Sequence, residues 1–337
     1  MAILEQSTLQ VVEQKAANEK LPMASTTKIM TALVVIETLD VNTIVTIPAA
    51  ACNIEGSSMY LVKGEKLSVL DLLYGLMLTS GNDAATALAI VTSKTVDGFV
   101  LLMNQKAKQL GLVNTNFTNP SGLPDDNHYT TALELAKLAA FALNNPTFAK
   151  IVATKSAYLP YKNQKNGRFI KNHNKLLSMY EYAIGIKTGF TKKAGRCLVS
   201  AAKKDGITLV CVTLNAPDDW NDHITAFNSG FEKVKTTCVA KAGSIQIPLK
   251  TPDGQRVVCV NPCDVYATVV NDKKITTKIL APKFVYAPKA KNQSVGSIEF
   301  YCDGVLAATS KLVCKTELDI NIKPKLTFLK YIKGLFK

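Results

Sequence analysis

The sequence predicts an α/β domain, an antiparallel sheet lying under helices, followed by a small all-β sandwich. Three observations carry this expectation. Apolar residues recur at helical spacing in the first half of the chain and then fall into consecutive strand-like runs. Past Gly243 the texture changes again, to short alternating strands punctuated by turn residues. The 337 residues, 47% hydrophobic and 20% charged, suit a large folded domain with a smaller companion and exclude a disordered tail or a fibrous repeat.

Over residues 26 to 39, Ile29, Met30, Leu33, Val34 and Ile36 keep a helical period, with Pro22 upstream and Ser25 where an N-cap or first-turn residue belongs. A buried helix is expected. Ser68 caps a second helix to position 78, and after Ser80-Gly81-Asn82 a third runs from 83 to about 91, so this triplet lies in a turn between helices. Thr131 with Glu134 is a capping box opening a helix over 133 to 143, which Asn144-Asn145-Pro146 stops. Strand-like runs at 185 to 191, 196 to 202 and 207 to 214 read as consecutive antiparallel strands, with 3 to 12 as a further one. In the last part, runs at 245 to 249, 257 to 260, 265 to 270, 297 to 301 and 305 to 309 alternate with turns at Pro252-Asp253-Gly254 and Asp303-Gly304. They predict a sandwich. The expected domains are residues 1 to 242, 243 to 318 and a terminal segment 319 to 337. In that segment Leu326, Leu329, Ile332, Leu335 and Phe336 share one helical face, and Lys330, Lys333 and Lys337 fall away from it.

With 40 Lys+Arg against 26 Asp+Glu the net charge is +14, which favours an anionic partner: a membrane surface, a cell-wall polymer or nucleic acid. Nucleic acid is set aside, because the lysines are spread over both domains, Trp220 is the single tryptophan, and no recognition module is present. No stretch approaches the roughly 18 apolar residues of a spanning helix, so the body is expected to be soluble. The first residues lack the basic and long apolar regions of a secretory signal, which fits either a cytoplasmic protein or a processed chain.

The eight cysteines are scattered and form no CxxC pair. Cys197 and Cys211 sit in apolar runs and read as buried free thiols; Cys52, Cys238, Cys259, Cys263, Cys302 and Cys314 stay undecided. His128, His173 and His223 are far apart and lack HExxH spacing, so no zinc site is expected. His128 reads as a satisfied loop residue. His173 lies either in a cleft or on a surface loop.

Chemistry needs a nucleophile with a base at productive spacing. Ser25-Thr26-Thr27-Lys28 starts a helix, where residues three apart share a face. Ser200-Ala201-Ala202-Lys203 has the same spacing on a strand, where they oppose. Only the first pair can meet. On the motif alone a cap with a solvated lysine is the better explanation, but Met23-Ala24 and Ile29-Met30 make this a buried start, and a buried lysine needs a reason. Acylation supplies one: a lysine made neutral by burial and a neighbouring cation takes the serine proton, and the helix-start N–H meets an oxyanion. Lys187-Thr188-Gly189 on a strand offers a hydroxyl and an ammonium to a substrate carboxylate, with Gly189 admitting the substrate backbone; a strand end with a solvated lysine is its plain alternative. Arg196 either assists that carboxylate or is an exposed strand charge.

In the order SxxK, SxN, KTG these elements form the set shared by penicillin-binding proteins and class A β-lactamases. The chain resembles the low-molecular-mass penicillin-binding proteins that are serine D-Ala-D-Ala carboxypeptidases, in LPMASTTKIMTAL around Ser25, LTSGNDAA around Asn82, NPSGLP from Asn119 and GIKTGFT around Lys187. The resemblance spans nearly the whole chain, since secreted members also carry a β-rich second domain and a terminal amphipathic anchor. It implies the serine transpeptidase fold of that family. It also implies Ser25 as acylated nucleophile, Lys28 as general base, Ser80 as proton relay and Asn82 as a ligand of the substrate backbone. Lys187 and Thr188 would bind the terminal carboxylate, and the N–H groups of Ser25 and Phe190 would form the oxyanion hole. The implied partners are a peptidoglycan stem peptide ending in D-Ala-D-Ala, β-lactams, and an anionic membrane surface under the terminal helix. No cofactor or metal is implied, and the place of work is the outer face of the cytoplasmic membrane. A non-catalytic penicillin-binding wall protein or sensor is the alternative. A β-lactamase is less favoured, because neither Glu134 nor Glu181 sits in a loop like that family's Glu-x-x-Leu-Asn.

Overall fold

A five-stranded antiparallel sheet, in the order β2 (Val11–Gln14), β1 (Ala2–Glu5), β9 (Ile207–Thr213), β8 (Gly195–Lys204) and β7 (Ala183–Thr191), organises the first part of the chain. The structure is a computed structural model and describes residues 1 to 161, 167 to 252 and 254 to 318. It divides into two units, Met1–Lys235 with Val270–Asp272, and Thr236–Val269 with the residues from Lys273. The terminal segment 319 to 337 lies outside the described residues. Among the described residues no single helix is long and apolar enough to cross a membrane.

The first unit opens with β1 (Ala2–Glu5) and β2 (Val11–Gln14), where one strand over 3 to 12 was expected. The chain reverses between them because the Glu5 carboxylate accepts from the Ser7 and Thr8 N–H groups at 3.1 and 2.9 Å, and Leu9 takes φ 58°. A 3-10 turn over Ala24–Thr27 feeds α1 (Lys28–Thr38). Next come β3 (Ile44–Thr46), β4 (Lys66–Ser68), α2 (Val69–Leu78), α3 (Asn82–Ser93) and α4 (Val96–Gln109). Ser68 and Asp71 form a complete capping box on α2.

The unit continues with α5 (Ala132–Ala142), α6 (Pro146–Ala153), β5 (Ser156–Leu159), β6 (Arg168–Lys171) and α7 (Leu176–Met179). The box expected on α5 is half formed. Thr131 accepts from the Glu134 N–H, but the Glu134 carboxylate turns to Asn114 and Thr115 instead of the cap. Asn145 both ends α5 and caps α6, accepting from the N–H groups of Thr147 and Phe148 at 2.9 and 3.2 Å with Pro146 in the first turn. The sheet strands β7 (Ala183–Thr191), β8 (Gly195–Lys204) and β9 (Ile207–Thr213) follow as expected, then α8 (Asp219–Lys233).

Burial explains the long apolar runs in β8 and β9. Val199, Val210 and Val212 face a core shared with α1 and α5, while Leu209, Cys211 and Ala202 face Ala226 and Phe227 of α8. A sheet covered on both sides loses the alternation of a half-exposed one. β7 is left at the edge, against the 3-10 turn.

The second unit is all β. Strands β11 (Gln246–Lys250), β12 (Arg256–Val260), β14 (Ile275–Leu280), β15 (Ser294–Cys302) and β16 (Val305–Cys314) form a sheet of order β11-β12-β16-β15-β14, and β10 (Val234–Ala240) pairs with β13 (Val265–Val270). Ala240 and Val265 share a core with Val257, Cys259, Ile298, Phe300 and Leu312, so two sheets close face to face.

Candidate active site

Ser25 sits in the 3-10 turn, one turn before α1, and makes no cap bond to the helix. The turn is tied down at its carbonyls. Thr26 Oγ1 donates to Met23 O at 2.6 Å and Thr27 Oγ1 to Ala24 O at 2.8 Å. His128 Nδ1 accepts the Thr118 N–H at 3.0 Å, which places the ring proton on Nε2, 2.7 Å from Thr27 Oγ1. His128 is thus the satisfied residue expected, and burial pushes its pKa down to about 4. Two glycines pack on the same turn. A Cβ on Gly122, where φ is +88°, would lie 1.8 Å from Ala24 O, and one on Gly189 would lie 3.1 Å from Ser25 N. The close approach that Gly189 admits is therefore that of the serine turn; a substrate backbone was the approach expected there.

Lys28 is fully buried. Its Nζ lies 3.0 Å from Ser25 Oγ, 2.7 Å from Asn82 Oδ1 and 2.6 Å from Ser121 O. Burial holds its pKa well below the ordinary lysine value, the Lys187 charge lowers it further, and Asp83 opposes both. Asn82 opens α3 with both ends of its amide in use, since Nδ2 donates to Glu55 O at 2.6 Å. Asp83 pins the loop that supplies that carbonyl, accepting from Ser58 Oγ at 2.7 Å and from the N–H groups of Met59 and Leu61 at 3.1 and 3.0 Å. Ser121 O is aimed by its neighbour: Asn119 Oδ1 gathers the N–H groups of Ser121, Gly122 and Leu123 at 3.2, 2.7 and 3.1 Å.

Ser80 is nearly buried between α2 and α3 and takes φ 62°, a left-handed conformation uncommon for serine. Lys187 on β7 is 1% exposed, donates to Thr188 O at 3.0 Å, and is pushed by burial down to about 7. Ser25, Ser80, Thr188, Gly189 and Phe190 line one open cleft of about 350 Å³, and Asn82, Ser121 and Gly122 line its continuation past Ser25.

The second Ser-x-x-Lys match does not meet. Ser200 is fully buried and bonded to His223 Nδ1, whose Nε2 lies 3.0 Å from Thr213 Oγ1, while Lys203 is exposed on the other face. His173 lines the cleft, as does Arg196, which pairs with Asp219 at 2.6 Å and lies over the Trp220 ring. The contributions that sequence reasoning missed are mostly backbone: Ser121 O on Lys28 and Glu55 O on Asn82. Among the described residues no cluster suited to a metal ion is found.

A buried lysine amine on a serine hydroxyl, at the start of a helix that packs on an antiparallel sheet, defines a serine acyl-enzyme class of peptidase. Residues 1–218 match the family model described as D-alanyl-D-alanine carboxypeptidase, and residues 231–319 match that of the penicillin-binding protein 5 C-terminal domain. The chain belongs to the D-alanyl-D-alanine carboxypeptidase family. It is 32% identical over 345 residues to the D-alanyl-D-alanine carboxypeptidase DacF of Bacillus subtilis, covering 98% of this chain and 88% of that one. Against DacA of Escherichia coli it is 30% identical, covering 99% and 86%. Among solved structures, the Streptomyces K15 DD-transpeptidase is similar at TM-score 0.66 and 37% identity, covering 68% of this chain and 95% of that one. The carboxypeptidase DacD of Francisella tularensis is similar at TM-score 0.67 and 27% identity, covering 94% and 92%. The protein is a serine D-Ala-D-Ala carboxypeptidase.

Proposed function

We propose that the enzyme removes the terminal D-Ala from peptidoglycan stem peptides through an acyl-enzyme on Ser25, with Lys28 as base. The observation that carries this reading is the hydrogen bonding of Lys28. A neutral amine has two N–H donors and one lone pair; Asn82 Oδ1 and Ser121 O accept the two donors, so the lone pair faces Ser25 Oγ at 3.0 Å. Ser25 then gives its proton to Lys28 as its oxygen attacks the carbonyl carbon. The C–N bond breaks, and the departing amine takes a proton relayed through Ser80. Water releases the shortened peptide by the same route in reverse. Asn82, its amide already committed at both ends, serves first to orient Lys28, and its second Nδ2 hydrogen is left for the substrate backbone.

Lys187 and Thr188 take the terminal carboxylate. Ser25 N–H and Phe190 N–H stabilise the oxyanion; the strand register supports Phe190, since the carbonyl of its partner Arg196 bonds to Ala216 N–H at 3.0 Å, leaving the Phe190 N–H to face the open edge. Lys187→Ala therefore lowers kcat/KM for a peptide ending in a free D-Ala carboxylate, and the wild-type enzyme turns over the terminal amide poorly. Equal release of D-Ala and of its amide would contradict these roles. β-Lactams acylate the same serine. Measuring free D-Ala from a D-Ala-D-Ala peptide tests the reading and separates it from a non-catalytic wall protein, which acylates and stalls. Neither glutamate weighed for a β-lactamase lines the cleft: Glu134 is held by Asn114 and Thr115, and Glu181 is not among the lining residues.

The substrate places the enzyme outside the cytoplasmic membrane, with catalysis assigned to the first unit. The segment after Pro324 is assigned as an interfacial anchor. Leu326, Phe328, Leu329, Ile332, Leu335 and Phe336 give it an apolar side, and Lys325, Lys330, Lys333 and Lys337 a cationic one, each lysine gaining on the order of 1 kcal/mol near an anionic surface. Full-length protein is expected to co-sediment with anionic lipid vesicles. A chain ending at Asn321 is expected to stay in the supernatant with unchanged penicillin labelling. Equal pelleting of both versions, or of neither, rejects the anchor.

A further inference from the structure

Of the cysteines that the sequence leaves undecided, two are brought directly opposite each other. Cys259 on β12 is the register partner of Cys314 on β16. The peptide groups of Cys314 bond away from β12: its N–H donates to Gln293 O at 3.1 Å and its C=O accepts from Asn292 N at 3.0 Å. The adjacent Lys315 N–H donates to Val258 O at 3.0 Å. The cysteines therefore occupy a non-hydrogen-bonded position of the antiparallel ladder, where facing Cα atoms are about 4.5 Å apart and side chains approach most closely. That spacing is within the range a disulfide spans. Both are free thiols, fully buried in the same apolar core. The other buried cysteine of this sheet, Cys302, faces Val305 and Ile275.

We propose that Cys259 and Cys314 are a cross-linking site, joined as a disulfide when the chain folds in the presence of a disulfide oxidant. One thiolate attacks the oxidant's S–S bond and releases one thiol; the second thiolate attacks the mixed disulfide and releases the other. Two protons and two electrons pass from the protein to the oxidant's sulfurs, and one S–S bond forms across β12 and β16. Burial keeps the Cys259 thiol protonated in the finished fold, so the bond forms while the sheet is closing. Chains exported from the cytoplasm meet such oxidants as they fold. The bridge would tie strands separated by a long stretch of chain, which restricts the unfolded state of the all-β unit.

The test refolds the full chain from reducing denaturant in a glutathione disulfide buffer and, in parallel, in reductant. Only protein that labels with penicillin is scored, and its thiols are alkylated in denaturant. The expected intact masses show two fewer alkyl groups after oxidative refolding than the eight found in reductant. Peptide mapping is expected to link the Cys259 and Cys314 peptides, and Cys259→Ala is expected to leave every remaining thiol alkylated. Eight alkylated cysteines under both conditions, or a bridge that uses another pair, overturns the proposal.

Discussion

Ser25→Ala is expected to abolish covalent labelling by a fluorescent penicillin, while Ser200→Ala labels like the wild type. The first removes the hydroxyl beside the buried amine, and no second hydroxyl takes its place. The release of D-Ala should fall by about 10⁴-fold or more, the scale seen when a serine nucleophile is deleted. The second variant is a demanding control, because it has the same Ser-x-x-Lys spacing and a histidine on its hydroxyl. Losing that hydroxyl leaves His223 Nδ1 without its partner in the core and costs about 1–3 kcal/mol of stability without touching the cleft. Labelling that persists in Ser25→Ala would falsify the nucleophile assignment.

Lys28→Arg is expected to lower acylation by about 10²- to 10⁴-fold in a protein that still folds, since a guanidinium keeps the charge but does not accept the serine proton. The wild-type rate is expected to fall on both sides of a pH optimum, with a different lysine limiting each side. As the proposed base Lys28 has to be neutral, so acylation is expected to fall as pH drops through its depressed pKa. In the carboxylate-binding role proposed for it Lys187 has to be charged, so capture of the carboxylate by the free enzyme is expected to weaken as pH rises through about 7. The alkaline limb is expected to disappear in Lys187→Arg, whose charge does not titrate. Stopped-flow acylation across pH checks both limbs; a folded Lys28→Arg enzyme that acylates at the wild-type rate points to another base.

Where side chains repeat, the sequence was readable. The period of Ile29, Met30 and Leu33 marks α1, and the consecutive β-rich runs around Lys187 and Cys211 mark three sheet strands. Helices that bury little carry no such pattern. In α4 only Phe99, Met103 and Ala107 are buried, and in α8 the buried set includes Asp219, His223 and Gly230. The motifs located Ser25, Lys28 and Asn82, which the structure brings together, because the roles proposed for them require particular side chains. They did not locate the carbonyls of Ser121 and Glu55, since any residue offers a carbonyl and its aim is set by other side chains, Asn119 for Ser121 and Asp83 for the loop after Glu55. Arg196 and His173 were ambiguous for a related reason: only the packing of Asp219, Trp220 and the segment after β6 decides whether they look into the cleft.

An amine sealed in the interior at position 187 sets catalysis against heat resistance. Between about pH 7 and the ordinary lysine range the unfolded chain holds a proton at position 187 that the folded chain lacks, so stability rises with pH across that window and is lowest below it. An apolar side chain of similar volume at 187 removes the cost of burying that amine. A library of this chain screened for thermal survival alone is expected to admit methionine or leucine at 187, at the expense of the carboxylate capture proposed for that lysine, whereas an apolar residue at 28 would leave Asn82 Oδ1 and Ser121 O without a donor. Screening for survival and for penicillin labelling together would hold both lysines and push the gains into the all-β unit and the surface.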